Sequence, residues 1–176
     1  MRKENLNEEL ELNLLEVSLI QLIKNLIKED NINQGGSTVS DKIKIESFSE
    51  AKIVNKPWGF ELWLSDGTKT PYAFKIIYIK AGTKTSLQFH NEKTEHNCLV
   101  AGKIKFHYEN PITQEIETKL LSAGHVITVH PPAIHRVEAL TDIILFEAST
   151  AHLDDVVRID DDYQRTDGKI ESEHQK

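Results

Sequence analysis

The sequence predicts an all-β domain that is preceded by one amphipathic helix. Short segments of alternating or β-branched residues follow one another from Lys42 to Ala148, and turns that contain glycine or proline separate them. No long helical periodicity lies between these segments, which disfavours a parallel α/β sheet. Closely spaced short strands therefore predict an antiparallel sandwich or barrel. The length of 176 residues is sufficient for one such domain and a short appendage.

The helix is predicted from apolar residues that recur every three or four positions between Leu6 and Ile27. Its apolar face consists of Leu12, Leu15, Leu19, Leu22 and Leu26. We expect this face to pack on the chain's own domain or on a second copy of the chain. The segment from Gln34 to Ser40 reads QGGSTVS and is interpreted as a flexible linker, because its residues are small and polar.

Nine segments are predicted to form strands. In chain order they read KIKIESF, FELWL, YAFKIIYIK, SLQFH, NCLVAGKIKFHY, IETKLL, HVITVH, HRVEAL and DIILFEA. The predicted organisation is a helix and linker over residues 1–40, a barrel over residues 41–165 and an acidic polar tail over residues 166–176.

The formal net charge of −7 is divided unequally along the chain. Residues 1–50 and 153–176 each carry a net charge of −4, whereas residues 51–152 are nearly neutral and hold seven of the eight histidines. Without a cluster of basic residues, we expect neither nucleic acid nor a membrane as a partner. The sequence shows no signal peptide and no apolar run of about 18 residues, which predicts a cytoplasmic protein. A single cysteine excludes a disulfide framework.

Four potential metal ligands are expected to converge in the middle of the chain. Gln88 and His90 are two residues apart on a predicted strand and share a face. A turn leads to Glu95 on the next strand, and His135 follows two prolines at the entry of a later strand. Imidazole, carboxylate and amide ligands together suit a divalent ion, with zinc expected first and nickel, manganese or iron as alternatives.

The spacing of these residues resembles the two sequence motifs of the cupin superfamily. Gly82, Gln88, His90, Glu95 and Gly102 match the first motif, with glutamine in place of a common first histidine, and Gly124 to His135 matches the second. The resemblance implies a cupin fold, which is a double-stranded β-helix or jelly-roll barrel.

A narrower resemblance covers residues 52–165. The segments SLQFH and EH, the upstream KPWGFE and the downstream DDVVRIDDDYQR are similar to the isomerase portion of type II phosphomannose isomerases. That resemblance implies a metal held by the four residues above and interconversion of mannose 6-phosphate and fructose 6-phosphate in activated-mannose and polysaccharide synthesis. It also implies that Arg158 is essential. The sequence departs from the family pattern at His130, Pro132, Ala139 and Gln164, the last of which stands where the family usually has glycine.

Aldose–ketose isomerisation also needs a base and a group that binds the phosphate. Lys93 and Lys75 are the candidate bases, because an apolar setting and a nearby cation can lower the pKa of a lysine. Arg158 is suited to bidentate contact with a phosphate or with sugar oxygens. Ser86 shares the face of Gln88 and, with His130, is a candidate for contact with substrate. His96 is expected to point away from the face of Glu95.

Two other classes of function fit the same residues. One is a different metal-dependent cupin enzyme, such as a dioxygenase or a sugar epimerase, and the other is a non-catalytic module that binds sugar. For the isomerase, the expected partner is a small phosphorylated sugar, and the expected assembly is a homodimer.

Overall fold

A computed structural model describes residues 19–25, 37–40, 42–47 and 50–174, and these residues contain thirteen β-strands. The chain divides near residue 52 into two units. No helix among the described residues is long and apolar enough to cross a membrane.

The first unit contains a helix and a hairpin. Residues 19–25 are helical. The rest of the predicted helix, with Leu12, Leu15 and Leu26, lies outside the described residues. Leu22 is 52% exposed whereas Ile23 is buried, so the buried face is rotated by one residue from the predicted face. Strand β1 (Ser37–Ser40) pairs with β2 (Ile43–Ile45), so backbone pairing orders residues that their composition had assigned to a linker.

The second unit contains two antiparallel sheets. Its strands are β3 (Lys52–Lys56), β4 (Gly59–Asp66), β5 (Tyr72–Ile79), β6 (Leu87–Phe89), β7 (Glu95–Ala101), β8 (Lys103–Glu109), β9 (Ile116–Ser122), β10 (Val126–Val129), β11 (His135–Ala139), β12 (Ile143–Thr150) and β13 (Val157–Asp160). One sheet has the order β10-β7-β12-β5-β4-β3, and the other has the order β13-β6-β11-β8-β9. The predicted all-β fold is confirmed, and all nine predicted segments contain strand.

In the second unit, strands β3 and β13 were not predicted, and one predicted strand is divided into two strands. The segment from Asn97 to Tyr108 is divided into β7 and β8 at Gly102, whose φ is 86°. A Cβ at Gly102 would lie 2.4 Å from the carbonyl oxygen of Asp142, so both the backbone angle and the close approach require glycine. Strand β13 lies in an acidic run without alternation, and its pairing with β6 defines it.

The core between the sheets receives apolar residues from both. Ile77, Leu99 and Leu145 come from the six-stranded sheet, and Ile104 and Val137 come from the five-stranded sheet. These side chains are buried and belong to one cluster. Burial of large aliphatic side chains stabilises by about 1.5–3 kcal/mol each, so this cluster holds the sheets together.

The C-terminal segment is part of the barrel unit, although its composition is that of a polar tail. Residues Glu171–His174 form a 3₁₀ turn. Glu173 in this turn is 8% exposed and forms ion pairs with Lys56 and Arg165. Specific ion pairs therefore order the described part of a segment that the sequence analysis interpreted as an acidic appendage.

Candidate metal centre

His90, Glu95 and His135 form a buried cluster in the barrel. His90 directly follows β6, Glu95 begins β7 and His135 begins β11. One ligand atom from each residue lies within 4.8 Å of those of the others. The Nε2 atom of His90 is 3.1 Å from Glu95 Oε1, and the Nε2 atom of His135 is 3.6 Å from Glu95 Oε2. The structure thus brings together three of the four predicted ligands around one point.

Backbone carbonyls orient both imidazole rings. The Nδ1 atom of His90 contacts the carbonyl oxygen of Asp155, and that of His135 is 3.0 Å from the carbonyl oxygen of Ala133. A proton on each Nδ1 satisfies these contacts and leaves the lone pair of each Nε2 directed at Glu95. The His90 Nε2 atom is fully buried and has no well-aligned hydrogen-bond partner among the described residues. A divalent cation fits this arrangement, because a buried acceptor without a donor is otherwise unfavourable.

Gln88, the fourth predicted ligand, lies beside the cluster. It pairs in register with His135 across β6 and β11, and its side chain lines the same cavity. The buried Ser86 donates a hydrogen bond from Oγ to Gln88 Oε1 at 2.6 Å. Ser86 therefore fixes the amide of Gln88, as expected for two residues on one face.

Glu95 is ionised in this setting. Burial alone would raise its pKa, but the ammonium of Lys93 and the neighbouring imidazoles of His135 and His90 hold the pKa of Glu95 well below its usual range. Lys93 Nζ is 2.5 Å from Glu95 Oε1, and Asn97 donates to Glu95 Oε2 at 3.1 Å. An anionic carboxylate is the form that binds a metal.

Lys93 differs from its expected electrostatic state. Burial would lower the pKa of Lys93, but the carboxylates of Glu147 and Glu95 outweigh it and raise this pKa above its ordinary value. Its ammonium is 2.9 Å from Glu147, so two anions stabilise the charged form. The expectation of a lowered pKa is therefore wrong for Lys93, because its burial is accompanied by carboxylates rather than by apolar groups and a cation.

Lys93 is part of a chain of nine charged groups that extends from the ligand cluster across the barrel. In order, the chain comprises Glu95, Lys93, Glu147, Lys75, Glu61, Lys56, Glu173, Arg165 and Asp161, with 2.5–3.8 Å between successive groups. Lys75 lies 3.2 Å from Glu61 and 3.7 Å from Glu147. Burial raises the pKa of Glu61, but Lys75 and Lys56 outweigh this effect and lower it to about 2. Alternation of charge makes this burial tolerable.

Asp155 organises the turn that separates His90 from Glu95. Its Oδ1 atom accepts a hydrogen bond from the backbone N–H of Asn91 at 3.0 Å, and its Oδ2 atom accepts from Glu92 and Lys93 at 2.7 and 3.0 Å. Burial opposes ionisation of Asp155, but these backbone donors lower its pKa to about 2. Together with the carbonyl that contacts His90, Asp155 positions one ligand and the turn before the next.

Arg158 lines the cavity but is held by the chain's own backbone. It is opposite Gln88 in the pairing of β13 with β6. Its Nη1 atom donates to the carbonyl oxygens of Thr166 and Gly168, the latter at 3.0 Å. Burial, followed by the like charge of Arg165, lowers the pKa of Arg158, and both arginines line the cavity.

The remaining predicted residues are divided between the cavity and the surface. His130 is exposed and is not part of the cavity wall, which corrects its assignment to substrate contact. Ile127 and Val129 face the interior, so the following residue points outward. His96 is exposed, as expected for the face opposite Glu95.

Comparison with known proteins identifies the family. A family model described as "Mannose-6-phosphate isomerase C-terminal" matches residues 44–161. The chain belongs to this family. The match includes the ligand cluster, Asp155 and Arg158, but it ends before Arg165 and the C-terminal 3₁₀ turn.

Individual proteins agree with the assignment to the mannose-6-phosphate isomerase C-terminal family. The chain is similar to the mannose-1-phosphate guanylyltransferase of Escherichia coli, with 31% identity over 148 residues, which are 80% of this chain and 29% of that protein. The chain thus spans less than a third of the length of this relative.

Solved structures share the cupin fold at low sequence identity. Oxalate decarboxylase from Bacillus subtilis, which has Mn(II) centres, matches with a TM-score of 0.57 and 17% identity over 76% of this chain and 36% of its own. The capsular polysaccharide assembling protein CapF from Staphylococcus aureus matches with a TM-score of 0.55 and 18% identity over 63% of this chain and 32% of its own. These matches confirm the predicted cupin fold.

Four charged residues of the cavity region were absent from the sequence prediction: Glu61, Glu147, Lys56 and Arg165. A signal existed for Glu147, since it is two residues after the core residue Leu145 on one strand and therefore shares its inward face. Lys56 and Glu61 lie in the segment KPWGFE, and Arg165 ends the segment DDVVRIDDDYQR, but the resemblance of these segments to the family did not assign the three residues to the cavity.

Proposed function

We propose that this protein is a metal-dependent sugar phosphate isomerase that interconverts mannose 6-phosphate and fructose 6-phosphate. One observation carries the proposal: the two Nε2 atoms and the carboxylate of the His90–Glu95–His135 cluster line a cavity that Arg158 and several buried ammonium groups also line. A sugar phosphate presents hydroxyl and carbonyl oxygens at one end and an anion at the other. This cavity offers complementary groups for both ends.

His90, Glu95 and His135 would hold the metal, with Gln88 as the fourth ligand. When bound, a divalent cation would supply a Lewis acid toward the oxygens of the sugar. The mixture of nitrogen and oxygen ligands favours zinc, with nickel, manganese or iron as alternatives. Manganese gains support from the fold relationship to an oxalate decarboxylase that has Mn(II) centres.

The reaction moves a proton between C2 and C1 of the open-chain sugar and another between the neighbouring oxygens. Lys93 and Lys75 present ammonium groups to the cavity and can donate hydrogen bonds to oxygens on which negative charge develops. Glu147 lies between these two lysines and lines the same wall. Its carboxylate is therefore the base that accepts the carbon-bound proton and returns it. Lys93 and Lys75 then have supporting catalytic roles.

Two side chains position the substrate in this scheme. Ser86 holds Gln88 and presents its hydroxyl to the cavity, and Arg158 lies next to Gln88 on the neighbouring strand. A phosphorylated sugar as substrate and product is also consistent with a cytoplasmic protein that acts in mannose activation or polysaccharide synthesis.

The deciding experiment measures the metal content and the conversion of mannose 6-phosphate to fructose 6-phosphate before and after chelation. We expect activity that chelation removes and metal restores. His90→Ala should lose metal, and His96→Ala, which changes an exposed histidine on β7, should retain it. A fully loaded protein without turnover would contradict the isomerase and leave the metal centre intact.

Variants of the proposed catalytic residues separate metal binding from chemistry. Arg158→Ala and Glu147→Gln should retain metal but lose at least about 100-fold in kcat/KM, as is typical of removing acid–base or charge-stabilising groups. Lys119→Ala, on the exposed side of β9, is the matched control for loss of a cation. Full activity in Glu147→Gln would show that Glu147 is not the base, and the two lysines would then be tested in the same way.

A further inference from the structure

The carboxylate of Glu173 binds two cations at the edge of the cavity. Its Oε2 atom is 2.7 Å from Lys56 Nζ, and its Oε1 atom is 3.2 Å from Arg165 Nη1. Glu173 comes from the four-residue 3₁₀ turn near the C-terminus, whereas Lys56 ends β3. A carboxylate thus places one oxygen on a lysine and the other on an arginine, which is a contact pattern that two oxygens of a phosphate can reproduce.

Each of the two cations also has a carboxylate neighbour other than Glu173. The Nε and Nη2 atoms of Arg165 are 3.0 and 2.8 Å from the carboxylate of Asp161, so the guanidinium is fixed and its Nη1 edge faces Glu173. The other carboxylate near Lys56 is that of Glu61, at the longer distance of 3.8 Å. Both cations line the cavity that contains the metal ligands.

Arg158 adds a third cation beside this pair. Its Nε atom is buried and has no hydrogen-bond partner within residues 50–174 or the shorter described segments. Its other contacts are to carbonyl oxygens of the same C-terminal segment that carries Glu173. A displaced 3₁₀ turn would therefore leave Lys56, Arg165 and Arg158 facing the cavity together.

Charge balance favours a second anion once a metal is bound. The nine-membered chain contains five carboxylates and four cations, and Arg158 brings the total of these groups to zero. A divalent cation at His90, Glu95 and His135 adds two positive charges inside the same cavity. Displacement of Glu173 adds one more positive charge, and a phosphate monoester, with a charge between about −1.5 and −2 at neutral pH, offsets at least half of the resulting charge.

We propose that Lys56, Arg165 and Arg158 form a binding site for the phosphate monoester of the substrate, and that Glu173 occupies this site as an internal anion which the phosphate displaces. The inference rests on the proposed function, since a sugar phosphate is the ligand. It adds a site that the ligand cluster does not contain and a competition between Glu173 and substrate. Glu171 and Ser172 in the same turn are exposed, and the phosphate would replace the two ion pairs of Glu173 that are lost when the turn moves away.

The test is calorimetric titration of inorganic phosphate into the metal-loaded full chain. Glu173→Gln should tighten phosphate binding about tenfold, because the competing charge is removed while the shape is kept. The matched control is Glu171→Gln, which removes one charge from the same turn but whose exposed carboxylate pairs with Lys169 at 2.9 Å. We expect its phosphate affinity to stay within about twofold of that of the wild type.

A second substitution locates the phosphate. In the Glu173→Gln background, Arg165→Met or Lys56→Met should weaken phosphate binding at least about tenfold, with circular dichroism verifying the fold of each variant. Unchanged affinity in Glu173→Gln, or binding that persists in both double variants, overturns the proposal. Phosphate bound directly to the metal would give that second result.

Turnover separates this inference from the proposed function. If the protein is the isomerase, Glu173→Gln should lower KM for mannose 6-phosphate several-fold with kcat within about twofold. A protein that gains phosphate affinity in Glu173→Gln but does not isomerise retains the anion site and contradicts only the isomerase. An active isomerase whose phosphate affinity is the same in Glu173→Gln contradicts only the anion site.

Discussion

The two ends of the barrel interior are built from the same strands and have opposite chemistry. On β5 and β12, Ile77 pairs with Leu145 in one row, and Lys75 pairs with Glu147 in the next row on the same face. On β7 the corresponding residues are Leu99 and Asn97. The change from an apolar core to an ionic wall thus occurs across one step of two residues.

The apolar end and the polar end are stabilised in different ways. The apolar end is stabilised by transfer of aliphatic groups from water, which is not directional and tolerates similar side chains. At the polar end each buried charge is compensated by neighbours at 2.5–3.8 Å, so the loss of one group leaves others uncompensated. Stability at the polar end therefore depends on pairs, and the same charges are those available to a ligand.

The largest expected effect comes from breaking the ionic wall. Lys75→Met should lower the free energy of unfolding by about 3–5 kcal/mol, because Glu61 and Glu147 lose the cation between them. Urea denaturation measures this change in the free energy of unfolding. Lys84→Met, which breaks a partly exposed pair with Asp162, should cost less than about 1 kcal/mol. Equal losses of unfolding free energy in the two variants would show that the burial of Lys75 and its partners does not make their ion pairs more important for stability.

The ionic wall should also make stability depend on pH. The pKa of Glu61 is about 2 in the folded protein against an ordinary value of 4.5, so its contribution of about 3 kcal/mol is present above pH 4.5. This contribution is lost as the pH falls from about 4.5 through 2. Glu61→Gln should remove this part of the acid dependence, whereas Glu115→Gln, at an exposed position, should leave the profile unchanged.

Removal of Asp155 should weaken the metal centre without touching a ligand. Asp155→Ala deletes the acceptor for three backbone N–H groups of the turn between His90 and Glu95, and we expect metal affinity to fall roughly 10–100-fold. Competition with a chelator of known affinity measures the change. Asp162→Ala is the control, and the same affinity in both variants would show that the turn holds its shape without Asp155.

A conservative change at the apolar end should have a smaller effect that is independent of pH. Ile143→Val shortens a fully buried side chain and should lower the free energy of unfolding by about 1 kcal/mol. The loss should be the same at pH 5 and pH 8, since Ile143 belongs to the apolar cluster between the sheets. Ile112→Val, at an 89% exposed position, should have no measurable effect.

The smallest expected effect is a gain at Gln164. This residue has a φ of 55°, in the left-handed region that favours glycine. Gln164→Gly should raise the free energy of unfolding by about 0.5 kcal/mol, because relief of backbone strain slightly exceeds the entropy that glycine adds to the unfolded chain. Gln164→Ala keeps the strain and should give no gain. Thermal denaturation of the three proteins tests the difference.

Particular residues show what could be read from local pattern. Gln88 and His90 follow alternation and were accessible from spacing, whereas the break between two strands at Gly102 was missed, because strand-forming residues continue on both sides of it. Lys93 lines the cavity, but its electrostatic state could not be predicted from the sequence, since that state depends on Glu147, which is 54 residues away. Strand β13 was missed because only its pairing with β6 distinguishes it from an acidic loop.

The sequence by itself determined the all-β fold, the family and the three residues of the ligand cluster, because strand alternation and fixed spacing are local properties of the chain. The tertiary structure alone decided which charges neighbour one another. The nine-membered chain of charges includes the ion pairs of Glu173 with Lys56 and Arg165. It joins residues that are up to 117 positions apart in the sequence. Electrostatic energy depends on distance in space and on burial, and neither quantity is encoded in the order of residues before the barrel has closed.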